Sequence, residues 1–147
     1  MNQRLPPPAR LLGPAGLIPF AGLALACWLA PPGWRGQASF ALLAYGATIL
    51  AFLGAVHWGL ALRATPAEEP DDWARLGLGV VPALVAWVAL MLPAVPGLLL
   101  LAAALLVVAG VETLATRAGL MPPDYLRLRW ILSTGAAVCL LAGASAQ

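Results

Sequence analysis

Five long apolar runs, separated by short polar or proline-rich segments, dominate the pattern of the chain. The most informative run covers residues 38–62 and has no charged side chain over 25 residues. As an α-helix it is about 37 Å long, which is enough to cross a hydrocarbon core of about 30 Å. The other runs cover residues 11–30, 76–92, 97–115 and 125–143. We therefore predict an all-α membrane bundle of five transmembrane helices, forming one domain over residues 11–147.

The segments between the runs predict where the helices end. Pro6-Pro7-Pro8 favours an extended, solvated arm over residues 1–10 rather than a helix. Proline and glycine predict a loop over residues 31–37 and a tight hairpin over residues 93–97. The segment 63–75 holds four of the six acidic residues, and it is predicted to be a hydrophilic loop rather than a metal site. Alternatively, Asp71 and Asp72 in that segment cap the third span.

Composition places the chain in the membrane. Hydrophobic residues make up 62% and charged residues 10% of the chain, with a mean hydropathy of +0.90, whereas about a quarter of the residues in soluble domains are charged. The basic residues are all arginines, and they form no basic stripe interleaved with aromatic residues, which argues against a nucleic-acid partner. We predict an integral membrane protein in contact with the lipid bilayer.

The eight arginines are distributed unevenly among the segments between the spans. With the N-terminus on the cytoplasmic side, seven arginines lie in inner segments and only Arg35 lies in an outer one. Short loops rich in arginine stay on the cytoplasmic side of a membrane. The sequence therefore predicts a cytoplasmic N-terminus and, with five spans, a periplasmic C-terminus.

This topology brings ionisable residues of three spans to one depth. His57 lies about 7 Å before the end of the second span and Glu112 about 5 Å before the end of the fourth. Arg127 and Arg129 begin the fifth span. A charged group at the centre of a membrane helix costs about 2.5 to 3.5 kcal/mol, so Glu112 requires a partner. We predict a candidate functional cluster beneath the inner leaflet, formed by His57, Trp58, Glu112, Arg127 and Arg129.

Small residues in the second span predict close helix packing next to this cluster. Gly46, Gly54 and Gly59 are assigned to helix packing, and His57 shares a helical face with the first two. His57 is therefore expected to face protein rather than lipid. Two alternatives stay open: the cluster is structural, with Glu112 and the arginines reaching the headgroups, or it senses pH or binds a substrate.

The sequence contains no recognisable catalytic set. Its single histidine cannot supply two histidine ligands to a haem, and no HExxH, GxSxG, P-loop or GxGxxG motif is present in a suitable context. Cys27 and Cys139 lie in apolar runs, cannot form a four-ligand metal site, and are predicted to be small buried residues. We predict no metal and no cofactor, and we place a membrane-embedded enzyme behind the functions considered below, because nothing supplies a nucleophile paired with a base.

Several of these features together resemble a known family. They are Gly54-Ala-Val-His57-Trp58-Gly59, the proline-bounded first and third spans, and Asp124-Tyr125-Leu-Arg127-Leu-Arg129. The sequence resembles the bacterial and mitochondrial membrane family of unknown function that includes transmembrane protein 69. This resemblance implies a multi-pass protein of the bacterial cytoplasmic (inner) membrane, and it carries over no reaction, substrate or cofactor.

Two classes of function fit these features. In the first, the protein is an accessory, scaffold or assembly factor that binds other membrane proteins, or further copies of itself, through helix faces rich in alanine and glycine. In the second, it is a small proton-coupled or solute transporter that uses the His/Glu/Arg cluster. The second class also draws on a similarity between Gly16-x-x-Pro19 and Gly79-x-x-Pro82, which indicates a parallel repeat unless it arises by chance.

Overall fold

The computed structural model describes residues 7–62, 72–117 and 123–147, and its regular secondary structure in these ranges is α-helical. The predicted all-α class is therefore confirmed. The helices, in chain order, are α1 (Pro7–Ala15), α2 (Leu17–Leu29), α3 (Pro32–Ala61), α4 (Asp72–Met91), α5 (Ala94–Arg117) and α6 (Pro123–Ala144).

Within these ranges, four helical stretches are long and apolar enough to cross a membrane. They are Leu11–Leu29, which includes the junction of α1 and α2, Pro32–Gly59, Ala94–Leu114 and Tyr125–Ala144. The apolar part of α4 is shorter and covers Leu76–Met91. The five predicted spans thus correspond to five apolar helical stretches, of which the third is the shortest, as expected from its run in the sequence.

The extended arm predicted before the first span is wrong for residues 7–10, which form the start of α1. Proline is tolerated in the first turn of a helix because its missing N–H has no intrahelical partner there. The first span is also divided into two helices, α1 and α2, which are separated at Gly16 between Pro14 and Pro19. Each proline removes a helical hydrogen bond, and the hydroxyl of Tyr45 donates to the carbonyl oxygen of Gly16 at 3.0 Å.

Two predicted loops are much shorter than expected, because the next helix begins at or directly after a proline. α3 begins at Pro32, so most of the predicted loop 31–37 is helical. Ala30 is extended, and its carbonyl oxygen accepts a hydrogen bond from Nε of Arg35 at 3.0 Å. α5 begins at Ala94, so the predicted hairpin 93–97 is reduced to Leu92 and Pro93. The predicted loop 63–75 is wrong for residues 72–75, which form the start of α4. Its remaining residues, with Asp71, lie outside the described residues, as do residues 118–122 between α5 and α6.

The longest helix, α3, lies at the centre of the bundle and packs against α2, α4, α5 and α6. Further packing joins α5 to α6 and α2 to α6. The core between them consists mainly of leucine and alanine. Its fully buried leucines are Leu42, Leu50, Leu98, Leu101, Leu105 and Leu140. The second span therefore has the central position that its length and lack of charge indicated.

Two glycines set the close approach of α3 to α4. A Cβ atom on Gly54 would collide with the backbone oxygen of Gly79, and one on Gly79 would collide with the ring of Trp58. Small residues allow helix backbones to approach in this way in membranes. Gly79 is thus a contact point inside α4, whereas Gly16 separates α1 from α2. The structure therefore gives the two halves of the suggested repeat different local geometries.

Candidate charge cluster at the ends of three helices

The ends of three helices bring the polar side chains of the bundle together. His57 lies in the last two turns of α3, Glu112 lies in the last two turns of α5, and Arg129 lies in the second turn of α6. All three side chains are buried, with exposed fractions of 3% for His57, 0% for Glu112 and 3% for Arg129. The structure thus places ionisable groups from three helices in one enclosed site.

Glu112 is the centre of this site. Its Oε2 accepts a hydrogen bond from Nε of Arg129 at 2.6 Å, the short distance typical of a charged donor and acceptor. Its Oε1 lies 3.4 Å from Nε2 of His57, which is within ion-pair range but does not meet the geometry of a hydrogen bond. The arginine is therefore the main partner of the carboxylate, and the histidine is a neighbour.

Arg129 makes a second contact along its own helix. Its Nη1 donates to Oγ of Ser133, one turn further along α6, at 2.8 Å. Its Nη2 is buried and has no hydrogen-bond partner among the described residues. The guanidinium group is thus held at two of its three nitrogens, and the pair with Glu112 uses one oxygen and one nitrogen rather than a bidentate geometry.

The electrostatics of the site follow from this pairing. With His57 uncharged, the negative charge of Glu112 and the positive charge of Arg129 balance within the protein. Removing one partner of such a buried pair leaves an uncompensated charge, which typically costs about 3 to 5 kcal/mol. The pair therefore ties α5 to α6, and His57 brings α3 into the same contact.

An apolar cavity of about 160 Å³ lies against the same side of α6. Arg129 and Ser133 contribute to its wall, and the remaining lining is almost entirely apolar. The cavity is bordered by four elements, namely the junction of α1 and α2, together with α3, α5 and α6. The cavity therefore extends from Arg129 to the junction of α1 and α2 at Gly16.

A family model described as "Protein of unknown function (DUF3429)" matches residues 5–145. The chain belongs to the DUF3429 family. The predicted family resemblance is confirmed, and the match includes His57, Glu112 and Arg129.

Two vertebrate proteins show how far this similarity extends. Transmembrane protein 69 of Xenopus tropicalis is 45% identical over 86 residues, which is 58% of this chain and 33% of the relative. Transmembrane protein 69 of Mus musculus is 35% identical over 86 residues, which is 58% of this chain and 34% of the relative. The matched segment thus spans about a third of each relative. No solved structure shows significant similarity to the chain.

Two other members of the predicted cluster are placed differently in this DUF3429 protein. Arg127 is exposed and does not join the cluster, because it lies two residues from Arg129 and thus on the other side of α6. Trp58 is half-exposed, and its Nε1 donates to the carbonyl oxygen of Leu76 at 3.2 Å. It therefore joins α3 to α4 next to the cluster instead of contacting Glu112.

The three glycines assigned to helix packing also differ from one another. Gly46 is buried where a Cβ would meet side chains of Phe20, Leu101 and Leu140, and Gly54 contacts α4. Gly59 is exposed, and within residues 7–62, 72–117 and 123–147 no neighbouring atom lies within 4 Å of its Cβ position. Gly59 therefore makes no such packing contact within the described residues, because helical periodicity turns it away from Gly54, and its assignment to helix packing stays a prediction.

Sequence reasoning missed one polar member of the site. Ser133 is buried and accepts a hydrogen bond from Arg129. The signal was the spacing of these two residues, since residues four positions apart lie on the same face of a helix. The same argument separates Arg129 from Arg127 and would have identified the buried arginine.

The cysteines give no metal site in the described part of the chain. Cys27 is buried, Cys139 is half-buried, and both are free thiols. The Sγ atom of Cys27 lies 3.8 Å from Oγ of Ser39, a weak contact between two small side chains. No group of three or more His, Cys, Asp or Glu residues within the described ranges is arranged to hold a metal ion.

Proposed function

We propose that this protein is an accessory, scaffold or assembly factor that binds other proteins within the membrane. The observation that supports this proposal is an unpaired small-residue face on α3. Ala55 and Gly59 are exposed and lie one turn apart, and no atom of the part of the chain that the structure describes lies within 4 Å of a Cβ position on Gly59. Small residues at such spacing let a second membrane helix approach closely.

The buried cluster fits this proposal as an anchor for the helices. A face that receives another protein requires a rigid support, and the pair of Glu112 and Arg129 joins α5 to α6 close to the end of α3. His57, Glu112 and Arg129 are all enclosed within the bundle. The charges thus serve the internal structure, and the partner contacts the outer surface of α3.

The proposal is tested by enlarging this face without disturbing the bundle. Gly59→Ile places a branched side chain where no atom of the described residues is within 4 Å of the Cβ position, so the fold should be retained. Gly22→Ile is the matched control, because Gly22 on α2 is also exposed and also without such neighbours. After mild cross-linking, purification in detergent should yield a partner, or a second copy, with the wild type and with Gly22→Ile but not with Gly59→Ile. A monodisperse protein without any partner would contradict the proposal.

A second candidate function is a small proton-coupled or solute transporter. The observation that favours it is the incomplete hydrogen bonding of the cluster, since Oε1 of Glu112 has no hydrogen-bond partner among the described residues and lies 3.4 Å from His57. A carboxylate next to an imidazole can exchange a proton. In liposomes with an imposed pH gradient, this candidate requires flux that His57→Gln abolishes and that Arg127→Gln leaves unchanged.

The location and orientation of the bundle are part of the same proposal. We place it in the bacterial cytoplasmic membrane with the N-terminus inside, and we treat residues 11–147 as one membrane domain. The distribution of arginines supports this orientation, and the common core of α2, α3, α4, α5 and α6 supports a single domain.

A further inference from the structure

The contact between α5 and α6 carries two exposed arginines at the end of the bundle where the charge cluster lies. Arg117 is in the last turn of α5, and Arg127 is in the first two turns of α6. A hydrogen bond between the helices lies close to both, because Nε1 of Trp130 donates to Oγ1 of Thr113 at 2.9 Å. This bond fixes the position of α6 along α5, and helix geometry then places the two arginines relative to it.

Both arginines lie on the same side of the contact as this hydrogen bond. Arg117 follows Thr113 by four residues, and residues at this spacing share a face of a helix. Arg127 precedes Trp130 by three residues and shares its face for the same reason. The end of α5 contacts the start of α6, so the two helices are antiparallel and the arginines lie opposite each other. Packed helices are about 8 to 10 Å apart, a distance that two long arginine side chains can close around one anion.

The buried charge cluster behind this face does not neutralise it. Glu112 is the only acidic residue whose side chain is in the described part of the chain, and it is fully buried against Arg129. The charges of that pair cancel each other. Arg117 and Arg127 therefore give the face a positive potential, which favours a ligand with a net negative charge.

The depth of the face indicates that a lipid supplies this charge. The apolar stretch of α5 ends at Leu114, and Arg117 lies about 4.5 Å beyond it, while Arg127 lies about 3 Å inside the apolar stretch of α6. Long arginine side chains near the end of a membrane helix extend to the headgroups. Trp130 lies about one turn deeper than Arg127 and is 38% exposed, and Leu114 is 64% exposed. The arginines thus lie at the level of the headgroups, next to apolar side chains that face the acyl chains.

We propose that Arg117 and Arg127 bind the phosphate of an anionic phospholipid over the contact of α5 with α6. Guanidinium groups bind phosphate oxygens through paired N–H donors, and basic sites between membrane helices bind anionic headgroups. A zwitterionic lipid brings a cation of its own to the two arginines. A free phosphate ion lacks the acyl chains that contact Trp130 and Leu114. An anionic lipid matches both the charge and the depth of the face.

The test measures binding of defined lipids to the full chain in detergent by native mass spectrometry. Phosphatidylglycerol is compared with phosphatidylcholine of identical acyl chains, because both carry a phosphate and only the first has a net negative headgroup. We expect the wild type to bind phosphatidylglycerol about tenfold more tightly or better, since each arginine near a membrane surface contributes a factor of about five. This preference should fall as salt is added, because salt screens exposed charges.

Substitutions of single arginines assign the preference to this face. Arg117→Gln and Arg127→Gln should each lower it about fivefold, and the double variant should abolish it. Lysine at either position keeps the charge and should retain most of the preference. Arg35→Gln is the matched control, because Arg35 is also exposed but lies near the opposite end of α3, about 33 Å along the helix from His57. It should leave the preference unchanged.

Four results would overturn the proposal. The first is equal binding of the two lipids by the wild type, and the second is an equal loss of preference in Arg35→Gln. The third is an unchanged preference in the double variant while its thermal midpoint shows it to be folded. The fourth is displacement of phosphatidylglycerol by an excess of inorganic phosphate, which would indicate a site for soluble anions. Loss of partner binding in Gly59→Ile has no bearing on these outcomes, because Gly59 lies on α3.

Discussion

At the scale of single residues, one buried carboxylate determines the arrangement of the site. Glu112 is fully enclosed, with Arg129 at 2.6 Å and His57 at 3.4 Å. A carboxylate in the membrane interior is expensive and must find a partner. The sequence indicated this need, because Glu112 is the only acidic residue within an apolar run. The effect of removing a partner is therefore the most direct test of the site.

We expect Glu112→Ala to lower the free energy of unfolding by about 3 to 5 kcal/mol, because it leaves the charge of Arg129 buried and unpaired. Adding Arg129→Met should recover part of this loss, since the second change removes the unpaired cation. Denaturation in mixed detergent micelles measures both effects. The resulting double-mutant cycle should show a coupling of about 1 kcal/mol or more.

Arg127 supplies the matched control for this cycle. It is exposed and lies on the other side of α6, so Arg127→Met should recover nothing when combined with Glu112→Ala. Exposed ion pairs contribute about 0 to 1 kcal/mol. Equal couplings for the two arginines, or additive effects of Glu112→Ala and Arg129→Met, would contradict a buried pair.

The sequence predicted which ionisable residues lie near the site better than it predicted which of them make contact there. Both Arg127 and Arg129 were predicted, because position in the sequence indicates how deep a residue lies in the membrane. The side of α6 that a residue faces depends on its angular position around the helix axis. With Ser133 on the buried side of α6, Arg129, four residues earlier, lies on the same side of the helix. The cavity could not be predicted, because it depends on how the break at Gly16 positions α1 against α6.

At the scale of helices, the apolar runs predicted the existence of each span but not its ends. The prolines at residues 7, 32 and 93 were interpreted as marks of non-helical segments, and in two of these cases proline lies in the first turn of a helix. The missing N–H of proline disrupts a helix interior but costs nothing at its start. Helix contacts were likewise only partly predictable, since Gly54 and Gly59 look alike in sequence.

Two substitutions on α3 distinguish these glycines. Gly54→Ala should lower the free energy of unfolding by about 1 to 3 kcal/mol, because its Cβ would collide with the backbone of Gly79 and force α3 and α4 apart. Gly59→Ala should cause no loss and could add up to about 1 kcal/mol, because alanine favours a helix more than glycine does. The same denaturation assay compares them. Equal destabilisation by both changes would contradict the close contact of α3 with α4.

At the scale of the whole molecule, orientation rests on charge rather than on packing. The bundle buries its leucine and alanine core in the same way whichever end faces the cytoplasm. The arginines distinguish the two directions, with seven in the segments on the N-terminal side and one, Arg35, on the other. Translocating segments rich in arginine is disfavoured, and five of the seven lie outside the apolar helical stretches, so the charge distribution makes a prediction that the fold alone does not.

We therefore expect single cysteines introduced at residues 67 and 147 to be labelled from opposite sides of the membrane. The test uses Ala67→Cys and Gln147→Cys, each in a chain whose Cys27 and Cys139 are replaced by alanine. A membrane-impermeant maleimide added to intact cells should label only Gln147→Cys, and Ala67→Cys should react only after the cells are opened. Labelling of both from one side would contradict an odd number of spans, because the two positions are separated by three predicted spans. Exchange of the two sides would instead keep the five spans and reverse the orientation derived from the arginines.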